Sequence, residues 1–256
     1  MNQILSSRRL ASLAKKDFYQ YWRPTLAVSG ILVGAVIILG FIRSTMVDII
    51  PYREYFQRFL VIWCIVAASS AFRELHDKSR NDDFLLLPAS ALEKTLVRLI
   101  GVSAGIPLIF IVVMFIASLC TELLRLAILK TPMAVFNPVN AEAWLVILRV
   151  IAIQSVFFLG AAWFKRRHLL KTALVLLVFF IALGIIGGTI FRIAYSSVYF
   201  SPEASAIKPD LYMTFKQLEG PWLGILLRII FYGVIPLLCW TTAWMRVKEC
   251  QSSHGI

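Results

Sequence analysis

The chain has 256 residues, of which 59% are hydrophobic and only 16% charged. Soluble domains carry roughly 25% charged residues, so the composition excludes a water-soluble enzyme or binding module and points to an all-α, multi-spanning membrane protein. A formal net charge of +12 would suggest nucleic acid in a soluble chain. Beside apolar segments it marks topology and attraction to anionic lipid headgroups, and no nucleic-acid partner is expected.

The first stretch, MNQILSSRRLASLAKKDFYQYW, is too polar for a signal-peptide core. Leu10, Leu13, Phe18, Tyr21 and Trp22 fall largely on one helical face, with Lys15, Lys16 and Asp17 elsewhere. This spacing predicts an amphipathic helix over 1–24, lying in the cytoplasmic interface and broken at Pro24 before the first span. Six apolar segments follow within 25–245, each near the roughly 20 residues that cross a bilayer. They cover about 25–42, 56–72, 95–121, 143–164, 169–191 and 222–245. Pro107 and Pro236 lie in mid-span and should kink those helices. Gly101 and Gly105, and the group Gly184, Gly187 and Gly188, permit close helix contact.

With the N-terminus inside, the cytoplasmic segments hold about twice as many Lys and Arg as the outer ones, so both termini are placed in the cytoplasm. Lys165, Arg166, Arg167 and His168 mark a tight cytoplasmic turn between the fourth and fifth spans. The outer loops are 43–55, 122–142 and the longest, 192–221; a short cytoplasmic tail covers 246–256. Nothing outside the spans is large enough for a core of its own.

The chain shows no HExxH, no GxSxG and no GxxxxGK[ST] phosphate loop. Its histidines (His76, His168, His254) are far apart in sequence, and Cys64, Cys120, Cys239 and Cys250 form no CxxC pair, so neither a metal site nor a disulfide is expected. The chain is not expected to be an enzyme. Among span residues, Arg149 has two readings: snorkelling to the outer surface, or a contact with substrate or a partner helix, which makes it, with Gln154, a candidate pathway residue.

The loop 72–94 reads FRELHDKSRNDDFLLLPASALEK. Its first part suits a helix, and Pro88 prevents that helix from continuing. Ser90 is placed as an N-cap with Glu93 as its capping-box partner. Leu85, Leu86 and Leu87 form an apolar run that needs cover from helix ends or from another protein. Glu74, Asp77, Asp82, Asp83 and Glu93 balance the local cations, a composition that topology marking alone does not require.

This loop resembles the F-x-E-L…L-x-L-P-A-S-x-x-E-K stretch that follows the second span of bacterial ABC-2-type permeases. The matching residues are Phe72, Glu74, Leu75, Leu85, Leu87, Pro88, Ala89, Ser90, Glu93 and Lys94. The resemblance implies a six-span permease of an ATP-binding-cassette exporter, in the bacterial inner membrane, with a coupling helix within 72–83. That helix would dock a separate ATPase through Phe72, Arg73, Glu74, Leu75, Asp77, Lys78, Arg80 and Asp83. Leu85, Leu87, Pro88, Ser90, Glu93 and Lys94 would shape the hairpin. ATP and magnesium would be bound by the ATPase, leaving this chain without a cofactor. A second permease, identical or related, would complete the path at a seam formed by spans one, two and five. One departure is that 201–219 is polar and carries two prolines, where many relatives have apolar re-entrant helices. The alternative reading is a non-transporting membrane subunit with an interaction, immunity or sensory role.

Overall fold

The structure is a computed structural model that describes residues 6–44, 50–76, 89–130, 133–165, 167–194 and 221–253. Among the described residues all regular structure is helical. The helices are α1 (Ser7–Ser44), α2 (Tyr52–Ser70), α3 (Arg73–His76), α4 (Ala91–Ile100), α5 (Ile106–Leu129), α6 (Ala141–Trp163), α7 (His168–Ala194), α8 (Pro221–Ile229) and α9 (Ile235–Ser253). One π-helical turn, Gly101–Gly105, joins α4 to α5, and another, Ile230–Val234, joins α8 to α9. Five continuous helical stretches are long and apolar enough to cross a membrane: Ser7–Arg43, Ala91–Ile128, Ala141–Trp163, His168–Ile190 and Gly224–Gln251. The chain is thus a membrane-spanning helical protein. Helix α2 is apolar in its second half, but Arg53, Glu54 and Arg58 charge its first two turns.

Helix α6 is the centre, packed between α2 and α9, while α1 runs along α4 and α5. Two buried clusters divide the interior. One joins Val36, Phe56, Leu60, Trp63, Phe110, Met114 and Val150. The other, nearer α3, joins Ala68, Phe72, Leu75, Phe158, Ala161, Ala243 and Val247. Two close crossings require glycine. A Cβ at Gly160 would overlap Thr172 Oγ1 and sit 2.9 Å from Thr172 Cβ, and one at Gly40 would lie 2.7 Å from Thr121 Cγ2. Helix α7 touches the bundle through its first turns only; from Leu177 to Ile190 every residue is exposed. A helix apolar all round and unburied by protein is stable where lipid covers it.

Several sequence-based boundaries are corrected. Pro24 does not break the chain: α1 is continuous through it. A helix-interior proline removes one bond to the carbonyl four residues back, and here the remaining turns are held by packing on α4 and α5, with Thr25 Oγ1 donating to the Tyr21 carbonyl at 2.6 Å. The helix expected as the third span does not end at Thr121 but continues to Leu129, with Glu122 and Arg125 paired inside it. The tail expected from 246 is helical through Ser253. Next to Pro107 and Pro236, where kinks were expected, the chain forms π-turns. The carbonyls that Pro107 and Pro236 leave without an i−4 partner belong to Ser103 and Tyr232, and each lies inside one of the π-turns. The tight turn at 165–168 is present, with Arg167 in the left-handed region at φ 52°. Of the outer loop expected at 192–221, residues 195–220 lie outside the described residues.

Candidate functional site

The described motif residues converge where the end of α2, the short α3, the start of α4 and the N-terminal half of α1 meet. The capping box is formed. Ser90 Oγ accepts from the Glu93 N–H at 3.2 Å, and the Ser90 N–H donates to Glu93 Oε2 at 2.9 Å. The same Glu93 side chain, 0% exposed, also binds α1. The Ser6 N–H donates to Oε1 at 2.8 Å, and Arg9 Nη2 lies 3.1 Å from the same oxygen. Glu93 therefore caps one helix and fastens the start of another, some 87 residues earlier in sequence.

Arg98, one turn further along α4, gathers the rest. Its Nη2 donates to Glu74 Oε2 at 2.6 Å, its Nη1 donates to the Ala71 carbonyl, and its Nε lies 3.8 Å from Asp17 Oδ2 on α1. Its guanidinium carbon sits 5.7 Å from the centroid of the Phe72 ring. Gln20, also on α1, donates to Glu74 Oε1. Burial alone would raise the Glu74 pKa, but Arg98, the Gln20 hydrogen bond and Lys16 outweigh it and hold the carboxyl below its ordinary value of 4.5. Glu74 is thus an anion at neutral pH, and its charge is needed where it lies. Lys94 is 2% exposed beside this network.

The expected docking residues therefore divide. Phe72, Glu74 and Leu75 are buried within the chain and cannot present a face to a partner. They anchor the base of the hairpin instead: Phe72 stacks edge-on against Phe158 with centroids 4.9 Å apart, and Glu74 is taken up by Arg98. Arg73 is exposed. Asp77, Lys78, Arg80, Asp83, Leu85, Leu87 and Pro88 lie outside the described residues. His76 closes α3. Its Nε2 is 3.0 Å from the Ala161 carbonyl and its ring stacks on His168 at 5.2 Å. Burial lowers its pKa, and although the carbonyl bond opposes this, the net shift is below 6.5.

Of the two pathway residues, Arg149 is exposed on α6. Gln154 is buried and donates to Ser103 Oγ in the π-turn at 2.9 Å, so it ties α6 to the third span.

The opposite end holds a second polar network that sequence reasoning missed. Tyr52 Oη donates to Glu122 Oε1 at 2.7 Å, Arg125 Nη1 lies 2.9 Å from the same oxygen, and the Ala134 N–H donates to Glu122 Oε2 at 3.2 Å. Phe136 N–H donates to Ser118 Oγ at 3.3 Å. A cleft of about 300 Å³ opens beside it, with Phe56, Phe136 and Val146 in its wall and the Arg53–Glu142 ion pair, 2.9 Å, at its edge. The signal was the spacing: Glu122 and Arg125 are i and i+3 in a run with no helix breaker, which favours continued helix.

Among the described residues no group of three His, Cys, Asp or Glu side chains is placed to hold a metal ion. What the hairpin-end arrangement offers is mechanical. Charged hydrogen bonds tie α1, α3 and α4 together, so a displacement of α3 would be resisted by both α1 and α4. Comparison with protein-family models, curated proteins and solved structures gives no match.

Proposed function

We propose that the chain is the membrane-spanning permease subunit of an ATP-binding-cassette exporter. It forms six spans with α2 as the second, has both termini in the cytoplasm and works beside a second permease. A separate ATPase, which binds ATP and magnesium, docks on the hairpin. The observation that carries this reading is where the FRELH and ASALEK residues sit. The half of the motif that joins the spans is locked to three helices through Glu74–Arg98 and Glu93–Ser90–Arg9. A loop that only marks topology has no need of such a junction. A lever does, because a docking element moves two spans only if its base does not yield. The docking face is assigned to exposed Arg73 together with Asp77, Lys78, Arg80 and Asp83, while Phe72, Glu74 and Leu75 position it.

The test is purification of the tagged chain from membranes of its native host. The reading expects an ATPase carrying a phosphate loop in the eluate, and its loss in an Asp77→Lys/Asp83→Lys variant, since a docking surface rejects reversed charge. A wild-type eluate that reproducibly lacks any such ATPase moves the assignment to a non-transporting membrane subunit.

A further inference from the structure

The hairpin end of the bundle carries a patch in which cations are laid over aromatic rings. Trp163 closes α6 and is 57% exposed. The Arg246 guanidinium on α9 lies over it, 5.2 Å from the ring centroid. Lys171 Nζ is 5.8 Å from the Phe164 ring, and Lys248 Nζ is 5.9 Å from the Trp244 ring. Between them the chain turns through exposed Lys165 and Arg167. Among the described residues, the charged side chains that face the His76–His168 stack are Arg73, Lys165 and Lys171. The carboxylate in contact with the patch is Glu249, 2.9 Å from Arg246 Nη1. The Arg246 Nε has no hydrogen-bond acceptor among the described residues.

We propose that this patch is a binding site for an anionic phospholipid, whose phosphate lies between Arg246 and Lys171. Two observations select a lipid over a soluble anion. Arg246 borders an exposed indole, and the start of α7, just past the turn that follows Trp163, exposes Leu170, Leu174 and Leu177. The site therefore has a polar lip and an apolar floor, which matches a headgroup with its acyl chains and does not match inorganic phosphate. Aromatic rings with Lys and Arg at the ends of spans lie at headgroup depth, and each cation near an anionic leaflet adds attraction. The site is independent of the transporter reading, because it needs only a bilayer.

The test uses the full chain in phosphatidylcholine liposomes doped with brominated lipid. Subtracting the tryptophan fluorescence of a Trp163→Phe variant from that of wild type isolates Trp163. Half-maximal quenching of Trp163 should need about tenfold less brominated phosphatidylglycerol than brominated phosphatidylcholine, the scale set by two or more cations acting on one headgroup. In Lys165→Gln/Lys171→Gln, which alters only exposed side chains, that preference should fall at least about threefold; Arg246→Gln should lower it further and Arg246→Lys should keep it. Equal quenching by the two lipids overturns the proposal, as does a preference that survives the Lys165/Lys171 double variant. Displacement of brominated phosphatidylglycerol by millimolar inorganic phosphate overturns it in favour of a small-anion site. If Arg246→Gln fails to fold, the exposed double variant decides alone.

Discussion

Glu74→Ala tests the junction most sharply. The substitution removes an anion that is 6% exposed, leaves two groups to find new partners (Arg98, whose Nη2 was 2.6 Å from the carboxylate, and the Gln20 amide) and empties the space the side chain filled. Removing one partner of a buried ion pair costs about 3–5 kcal/mol. Asp17, 3.8 Å from Arg98 Nε, keeps part of the compensation, which puts the expected loss near the lower end, about 3 kcal/mol. Set against a total stability of about 5–15 kcal/mol, that is large but survivable. Two comparisons identify the mechanism. Arg9→Gln removes the 41% exposed partner of Glu93 and should cost no more than about 1 kcal/mol. Glu74→Leu/Arg98→Leu removes both charges of the pair and should cost less than Glu74→Ala, because the one charge left without its partner is Asp17, 3.8 Å from Arg98 and only partly buried. The assay is reversible unfolding of the detergent-solubilised chain, followed by tryptophan fluorescence. A Glu74→Ala loss below about 1 kcal/mol, or a double variant worse than the single, would refute the buried-pair account.

Three further outcomes follow from local geometry. Gly160→Ala must push against Thr172 across the α6–α7 crossing and should destabilise by about 1–3 kcal/mol in the same unfolding assay, with partial rescue by Thr172→Ala. Ser90→Ala removes the cap oxygen that accepts from Glu93 N–H and should cost about 0.5–2 kcal/mol, whereas Ser90→Asp should largely retain stability. His76 has a folded pKa below its ordinary 6.5, so the unfolded chain binds the proton more readily. Its contribution is therefore present above that value and lost as pH falls below it; unfolding midpoints measured from pH 8 to pH 5 should drop, and His76→Gln should flatten the drop.

Much of the architecture was legible because it is set by signals within a few residues of each other. Apolar runs of span length mark the helices, the Ser90 and Glu93 pair marks a start, and Lys165 to His168 marks a turn with no room for a loop. The continuity of α1 was not legible. Pro24 is a local stop signal, while the helices that hold α1 straight enough to continue, α4 and α5, come much later in the chain. Glu74 was read as a surface charge for the same reason. Its partners are 24 and 54 residues away, and an acidic residue in a charged loop looks solvated until they are known. Glu122 and Arg125 were assigned to a loop because charge lowers the apparent length of a span; only the i,i+3 spacing hinted that they cancel within one helix. In each case the sequence shows which side chains carry charge, and the packing decides which charges water can reach.

The claim that the hairpin docks an ATPase is tested most directly by site-specific photo-cross-linking in native membranes. A photoreactive residue at Arg80 should yield a covalent adduct with an ATP-binding subunit, while the same residue at Arg192, at the far end of α7, should not. Adducts from Arg192 but not from Arg80, or none from Arg80 with the chain present at native levels, would contradict the account.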